Sequence, residues 1–508
     1  MQRMLMTAIA AYVILPAHAQ DAPLTTPGCE HLAVRQCLNL AIDAMGGRER
    51  LQQIKSVRLQ AIGHTLLMEQ SYRQAPFITS YETSTTTFDL VNQRVLSEVK
   101  LTWPESDDNQ SESESVNVVG PDGGIRRGKE SDAPCSLADL DAARYALALG
   151  PLRLLLTADT AFDLHYDSPA SVRSTSHTVV SFTWQKVPVR ILLNPFNHLP
   201  DAVDTTQELH DFWYFWGDVR QRVYFDNWKQ IQGIAYPTNL VEQRNGETWR
   251  STQALKVEFN IPLEDSHFRS DPAAAKKSLA STGWSRRFRP DKDNVLAPGV
   301  DLFLGSWNST IVKQPDGIVI LEVPISERYT EGVVEEARRR YPGKPIMAAL
   351  STSDSWPHTG GVRFVVSQGI PVYILDLNRP LLEQLIQAPH TLDPDALQKS
   401  QPRKAPDWMI VSRRVEIGSG PNRIELYPLR GASTERQYMV YFPEHHLLYA
   451  SDTLVLNDDG TLYDPELMTE VAQAVTREKL SVETVFAMHQ GATEWNTVLR
   501  LIGKAQGK

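Results

Sequence analysis

From Ser56 onward, apolar side chains fall on alternate positions: Val57, Leu59 and Ala61 sit between polar neighbours. That period of two is the pattern of a strand with one buried face. Ahead of it, residues 30–45 carry Leu32, Leu38, Leu40 and Ile42 and predict a helix, which Gly46-Gly47 ends. Thr, Tyr, Val and Phe dominate 77–103 and predict further strands, whereas 104–134, with its ESDDNQSESES run, reads as a solvated loop. Ser136 suits the N-cap of a helix running to Leu156. Residues 176–259 return to strand patterning, with Asn245-Gly246 as a hairpin turn between Val241 and Trp249. Strands that follow one another without alternating helices predict an antiparallel sheet with a few helices. Within this region DFWYFWGD, residues 211–218, holds five consecutive aromatic residues. It reads as a strand buried on both faces, the other reading being an exposed ligand or lipid contact.

The pattern changes near residue 299. VDLFLG, STIVKQ and GIVILEVP predict successive strands, 330–340 a helix, 345–350 a buried strand, 360–368 a helix and IPVYIL the next strand. An irregular Pro-rich stretch at 388–407 precedes the strands RRVEIG, RIELYPL, QYMVYFP and HLLYASD, and helices near 464–478 and 494–503 close the chain. Hairpins interspersed with helices fit a layered sandwich better than one doubly wound parallel sheet. The short basic segment RRFRPDK, 286–292, places the boundary between the halves near 270–295. The expected fold class is therefore α+β, with a β-rich domain over 20–285 and a second domain over 295–508.

Composition adds a compartment and removes one class of partner. Arg3 followed by the apolar run Met4–Leu15 and the Ala17-His18-Ala19 cleavage pattern predicts a signal peptide over residues 1–19, cut after Ala19. The run is too short to span a bilayer and no later stretch reaches that length, so the expected mature protein is soluble and periplasmic. A formal net charge of −10 offers no electrostatic footprint for nucleic acid. Cys29, Cys37 and Cys135 predict one disulfide and one leftover thiol. On a single helix Cys29 and Cys37 would lie about 12 Å apart, so Cys135 is the expected partner of one of them, unless the turn before the helix folds back.

Four segments in order carry a resemblance: GVDLFLGSWNSTIVKQPDGIVILEVP, LSTSDSWPHTGGVRFVVSQGIPVYIL, YMVYFPEHHLLYASD and VFAMHQG. Over about 210 residues the C-terminal half resembles the metallo-β-lactamase superfamily. The resemblance implies an αββα sandwich with metal ligands in loops at one edge. In that family the first metal loop runs Thr-His-x-His-x-Asp-His-x-Gly-Gly. Thr352, His358, Gly360 and Gly361 match it, while Ser353 and Ser355 stand at the first two histidines and Pro357 at the aspartate. The next ligand histidine falls on Ser433, and the later aspartate and last histidine are kept as Asp452 and His489.

Three serines cannot hold zinc as a trio, so the first metal site implied by the family is expected to be lost. His358, Asp452 and His489 remain as candidate ligands of one divalent metal, zinc or iron, and the competing expectation is that no metal binds. With the metal, the implied activity is hydrolysis of an ester, thioester or amide. Without it, the protein is a non-catalytic periplasmic binding protein using a degenerate cleft. A third reading pairs Ser353, Ser355 or Ser433 with a histidine as nucleophile and base. No catalytic residue is assigned. The N-terminal half, through GIAYPTNLVEQRNGETWRSTQALKVEFNIPL, resembles lipoprotein-carrier-type half-barrels, which implies an apolar or lipid-like ligand, or a docking surface.

Overall fold

The computed structural model describes residues 25–68, 79–102, 112–289, 292–305 and 307–507. The expected signal peptide and its cleavage site lie outside these residues. The N-terminal half is built on one 13-stranded antiparallel sheet that gathers every strand from Ser56–Leu66 to Glu247–Phe259. The first of those strands pairs with the last, so the two ends of the half meet at the middle of the sheet. Helices Val34–Ala44, Leu137–Leu149 and Leu154–Thr160 cover one face and bury Leu38, Ile42, Leu140 and Leu154 against Val180, Ile191 and Phe225. Helix Pro272–Leu279 covers part of the other face, where Ala274 and Ala275 meet Leu96 and Val118.

Several local expectations hold. Ser136 caps its helix by accepting the Asp139 N–H at 3.1 Å. Asn245 (φ +50°) and Gly246 (φ +97°) form the hairpin turn between Ile234–Arg244 and Glu247–Phe259.

Others are corrected. The helix expected to reach Leu156 ends at Leu149 and restarts at Leu154, because Gly150-Pro151 interrupts it. The expected 104–134 loop contains strand Glu112–Gly120, which pairs with Arg94–Thr102. Val118 and Val119 supply its buried faces, and ladder pairing overrides the weak strand propensity of its Ser and Glu residues. DFWYFWGD is not a strand: it is a turn and a 3₁₀ segment, Tyr214–Trp216, between strands Pro200–Glu208 and Asp218–Ile231. The disulfide joins Cys29 to Cys37 across a Cα separation of 5.5 Å. The helix starts only at Val34, so Cys29 sits on the turn that folds back onto it, and Cys135 is the free, buried thiol.

The C-terminal half is an αββα sandwich. A seven-stranded sheet runs from Lys292–Ala297 to Trp408–Val411, antiparallel at its start and parallel from Ile318–Leu321 onward. A six-stranded sheet runs from Val415–Ile417 to Thr493–Glu494. Val300, Val312, Leu350, Tyr438 and Phe486 fill the space between the sheets. Helix Glu327–Arg340 packs outside the first sheet, and helices Pro465–Arg477 and Trp495–Ala505 outside the second. No helix among the described residues is long and apolar enough to cross a membrane.

Candidate functional site

Loops that follow strand ends build the site. Glu322 follows strand Ile318–Leu321, the short helix Trp356–Thr359 carries His358, Asp452 follows Leu447–Tyr449, and His489 follows Thr484–Phe486. Gly360 and Gly361 let this loop press onto its neighbours. A Cβ on Gly360 would lie 2.1 Å from the Ile325 carbonyl oxygen, and one on Gly361 would lie 1.9 Å from Thr330 Oγ1.

The three candidate ligands meet, but as a chain of ion pairs. His358 Nδ1 lies 2.8 Å from Glu322 Oε2, and its Nε2 faces Asp452 Oδ2 at 3.6 Å. Asp452 Oδ1 is 3.1 Å from His489 Nε2. Glu322 is fully buried and is held by Tyr449 Oη at 3.1 Å and by the Thr352 hydroxyl. Burial alone would lower the His358 pKa, but the Glu322 and Asp452 carboxylates outweigh it and push it up to about 10. Burial alone would raise the Asp452 carboxyl, and His358 and His489 outweigh that and hold it well below the usual range.

A metal centre needs its donors aimed at one point. Here the imidazoles address separate oxygens of one carboxylate. Among the described residues, no group of three or more His, Cys, Asp and Glu side chains is arranged to hold a metal ion. Yet donor spacings of 3.1 and 3.6 Å are those of side chains about 2.1 Å from one ion, so His358, Asp452 and His489 are the residues that would hold it.

Of the positions implied as lost ligands, Ser355 lines a cavity that Asp452 and His489 also line. Ser353 Oγ accepts the Ser355 N–H at 3.2 Å, and Ser433 donates to Glu466 Oε1 at 2.8 Å on helix Pro465–Arg477. Pro357 stands in the first turn of Trp356–Thr359, where its missing N–H costs nothing. Asp354 is buried with Oδ1 unpartnered, and burial pushes its carboxyl up to about 7 against the pull of Arg436.

Beside Asp452 and His489 opens a cavity of about 430 Å³ walled by Phe212, Trp284, Trp307 and Trp356. Phe212 comes from DFWYFWGD, so the N-terminal half supplies part of the wall. A larger cavity, about 970 Å³, lies under the N-terminal sheet between residues such as Leu59, Phe88 and Phe225 and the helical stretch around Tyr145. Sequence reasoning missed Glu322 and the tryptophans. The single charge ending the apolar run GIVILE was the available signal for Glu322.

No family model matches the chain, and no curated protein matches it. Among solved structures, the DIM-1 metallo-β-lactamase is similar to it at 18% identity and TM-score 0.34, over 43% of this chain and 98% of that one. A metallo-β-lactamase from Pontibacter korlensis is similar at 15% identity and TM-score 0.35, over 43% and 99%. The sec-alkylsulfatase Pisa1 from Pseudomonas sp. is similar at 13% identity and TM-score 0.31, over 42% and 40%. The class that the structure itself defines is that of the fold: the C-terminal half is an αββα sandwich of two facing sheets.

Proposed function

We propose that this is an exported, periplasmic binding protein that uses the cleft beside Asp452 and His489 to recognise a small molecule without hydrolysing it. The observation that carries this reading is the ion pairing of Asp452 with both imidazoles, 3.1 Å from His489 Nε2 and 3.6 Å from His358 Nε2. A carboxylate held between two imidazoles is not a free general base. The Cys29–Cys37 disulfide supports an oxidising compartment, as does the signal-like N-terminus. The cavity under the N-terminal sheet, with its mostly apolar walls, supports an apolar or lipid-like ligand in that half.

One observation favours a second reading, a hydrolase of esters, thioesters or amides with a single divalent metal, zinc or iron. His358 Nε2 is buried without a hydrogen-bond partner while Glu322 holds Nδ1, and a ligating histidine is oriented in that way. Metal analysis and turnover decide between the two. On the binding reading, protein grown with added zinc carries no stoichiometric ion, and ester, thioester and lactam substrates are not turned over. One bound ion that Asp452→Ala releases, together with turnover lost in the same variant, establishes the hydrolase instead. Export is tested by N-terminal sequencing of protein from the periplasmic fraction, which is expected to start at Gln20.

A further inference from the structure

The walls and the charges of the 430 Å³ cavity point to one chemical class of ligand. Phe212, Trp284, Trp307 and Trp356 form a continuous aromatic surface. Trp284 and Trp356 centroids are 4.6 Å apart, Trp307 and Trp356 are 5.2 Å apart, and Phe212 stacks on Trp356 at 4.7 Å. Tyr463 adds a fifth ring at the rim. The charged residues in the lining are Asp452 and Asp464, with His489 3.1 Å from Asp452, and no Lys or Arg is among the described residues that line it. Aromatic faces carry negative potential and attract cations, and a carboxylate beside them adds to the attraction. The cluster already holds one cation in this way: the Arg286 guanidinium carbon sits 4.7 Å from the Trp307 ring centroid. An anionic ligand would meet Asp452 and Asp464 in the lining and no Lys or Arg among its described residues.

Resting on the reading of this cleft as a binding site, we infer that its ligand is a small organic cation. Its substituted or quaternary ammonium group packs against the rings of Trp307 and Trp356, with Asp464 in the lining as counter-charge. The volume suits a compact molecule, near the lower end of the usual range for small-molecule sites. Part of the wall comes from Phe212, so the site is complete only when the N-terminal half is docked on the C-terminal half.

The test uses the full-length protein and three probes: choline, its uncharged carbon isostere 3,3-dimethylbutan-1-ol, and benzoate. Binding is followed by calorimetry and by tryptophan fluorescence. Choline is expected to bind about tenfold or more tightly than the isostere, and benzoate not to compete. Trp307→Leu should weaken choline about tenfold, Trp307→Phe should restore most of that loss, and Asp464→Asn should weaken choline while leaving the isostere unchanged. Thermal melts confirm that each variant folds. Isostere or benzoate binding as tightly as choline overturns the cation assignment and leaves the binding-protein reading standing. So does choline affinity that is indifferent to Trp307→Leu. Absence of saturable choline binding also overturns the assignment. The binding-protein reading falls separately, on metal-dependent turnover.

Discussion

Phe212 stacks on Trp356, with ring centroids 4.7 Å apart and planes 20° from parallel. One ring belongs to a loop of the N-terminal sheet and the other to the loop that carries His358. Tyr214, two residues on, stacks on Trp284 at 5.8 Å, and Phe215 is buried in the core outside the seven-stranded sheet. The two halves are therefore joined by packed aromatic surface as well as by the connecting chain. Asp218 reinforces the junction by accepting the Thr391 and Leu392 N–H groups.

Truncation of the stacked ring should loosen this junction. Phe212→Ala removes a partly buried aromatic and its stacking, for an expected loss of about 2–3 kcal/mol. Denaturant unfolding measures the loss, and tryptophan emission should shift to the red as Trp284 and Trp356 gain solvent. A variant with unchanged midpoint and emission would show that the contact contributes nothing.

Glu322 should matter more than any exposed carboxylate. It is the partner of the buried His358 imidazole and accepts from Tyr449 and Thr352. Glu322→Leu leaves a buried charge uncompensated, at a cost of about 3–5 kcal/mol. Glu322→Gln keeps acceptor and donor capacity and should cost less. Equal losses in the two variants, read from urea midpoints, would argue against the ion pair.

His390 should give the protein an acid-sensitive limb. Burial, assisted by Arg363, pushes its pKa down to about 4. Between the ordinary value near 6.5 and about 4, the unfolded chain takes up a proton here and the folded chain does not. Stability therefore falls as pH drops through that window, by up to about 3 kcal/mol. Above about pH 6.5 both states are neutral at this position and the effect disappears. His390→Leu should flatten the dependence between pH 6.5 and 4, whatever it does to stability at pH 7; an unchanged slope in urea unfolding sinks the assignment.

The cysteines should behave as one closed pair and one silent thiol. Burial pushes the Cys135 thiol up to about 12. Native protein at pH 8 should show almost no reaction with a thiol reagent, and unfolded, unreduced protein should show one thiol. Cys29→Ser together with Cys37→Ser should lower stability by about 2 kcal/mol, since the loop closed is short. Two or more reactive thiols in the native state would mean that the Cys29–Cys37 bridge does not form.

Periodicity along the chain was enough for the α+β class and for most strands of the sandwich, while the αββα order of its layers was what the resemblance implied. A half-buried strand and an amphipathic helix write their buried face into local spacing, as at Val57, Leu59 and Ala61. The resemblance likewise singled out His358, Asp452 and His489, which the fold brings together in loops that follow strands of the two facing sheets. Pairing and direction were decided only by the tertiary structure. Strand Glu112–Gly120 exists because Arg94–Thr102 offers it a ladder, and no local propensity of Glu and Ser would have formed it. The run DFWYFWGD is apolar enough for a buried strand, yet it turns out of the sheet because Trp284 and Trp356, distant in sequence, give its rings a better place to bury. Glu322 is one charge in an apolar run until the fold sets His358 2.8 Å from it. Whether three ligand-type side chains face a common point or face one another depends on rotamers and on loops many residues apart, which spacing along the chain does not encode.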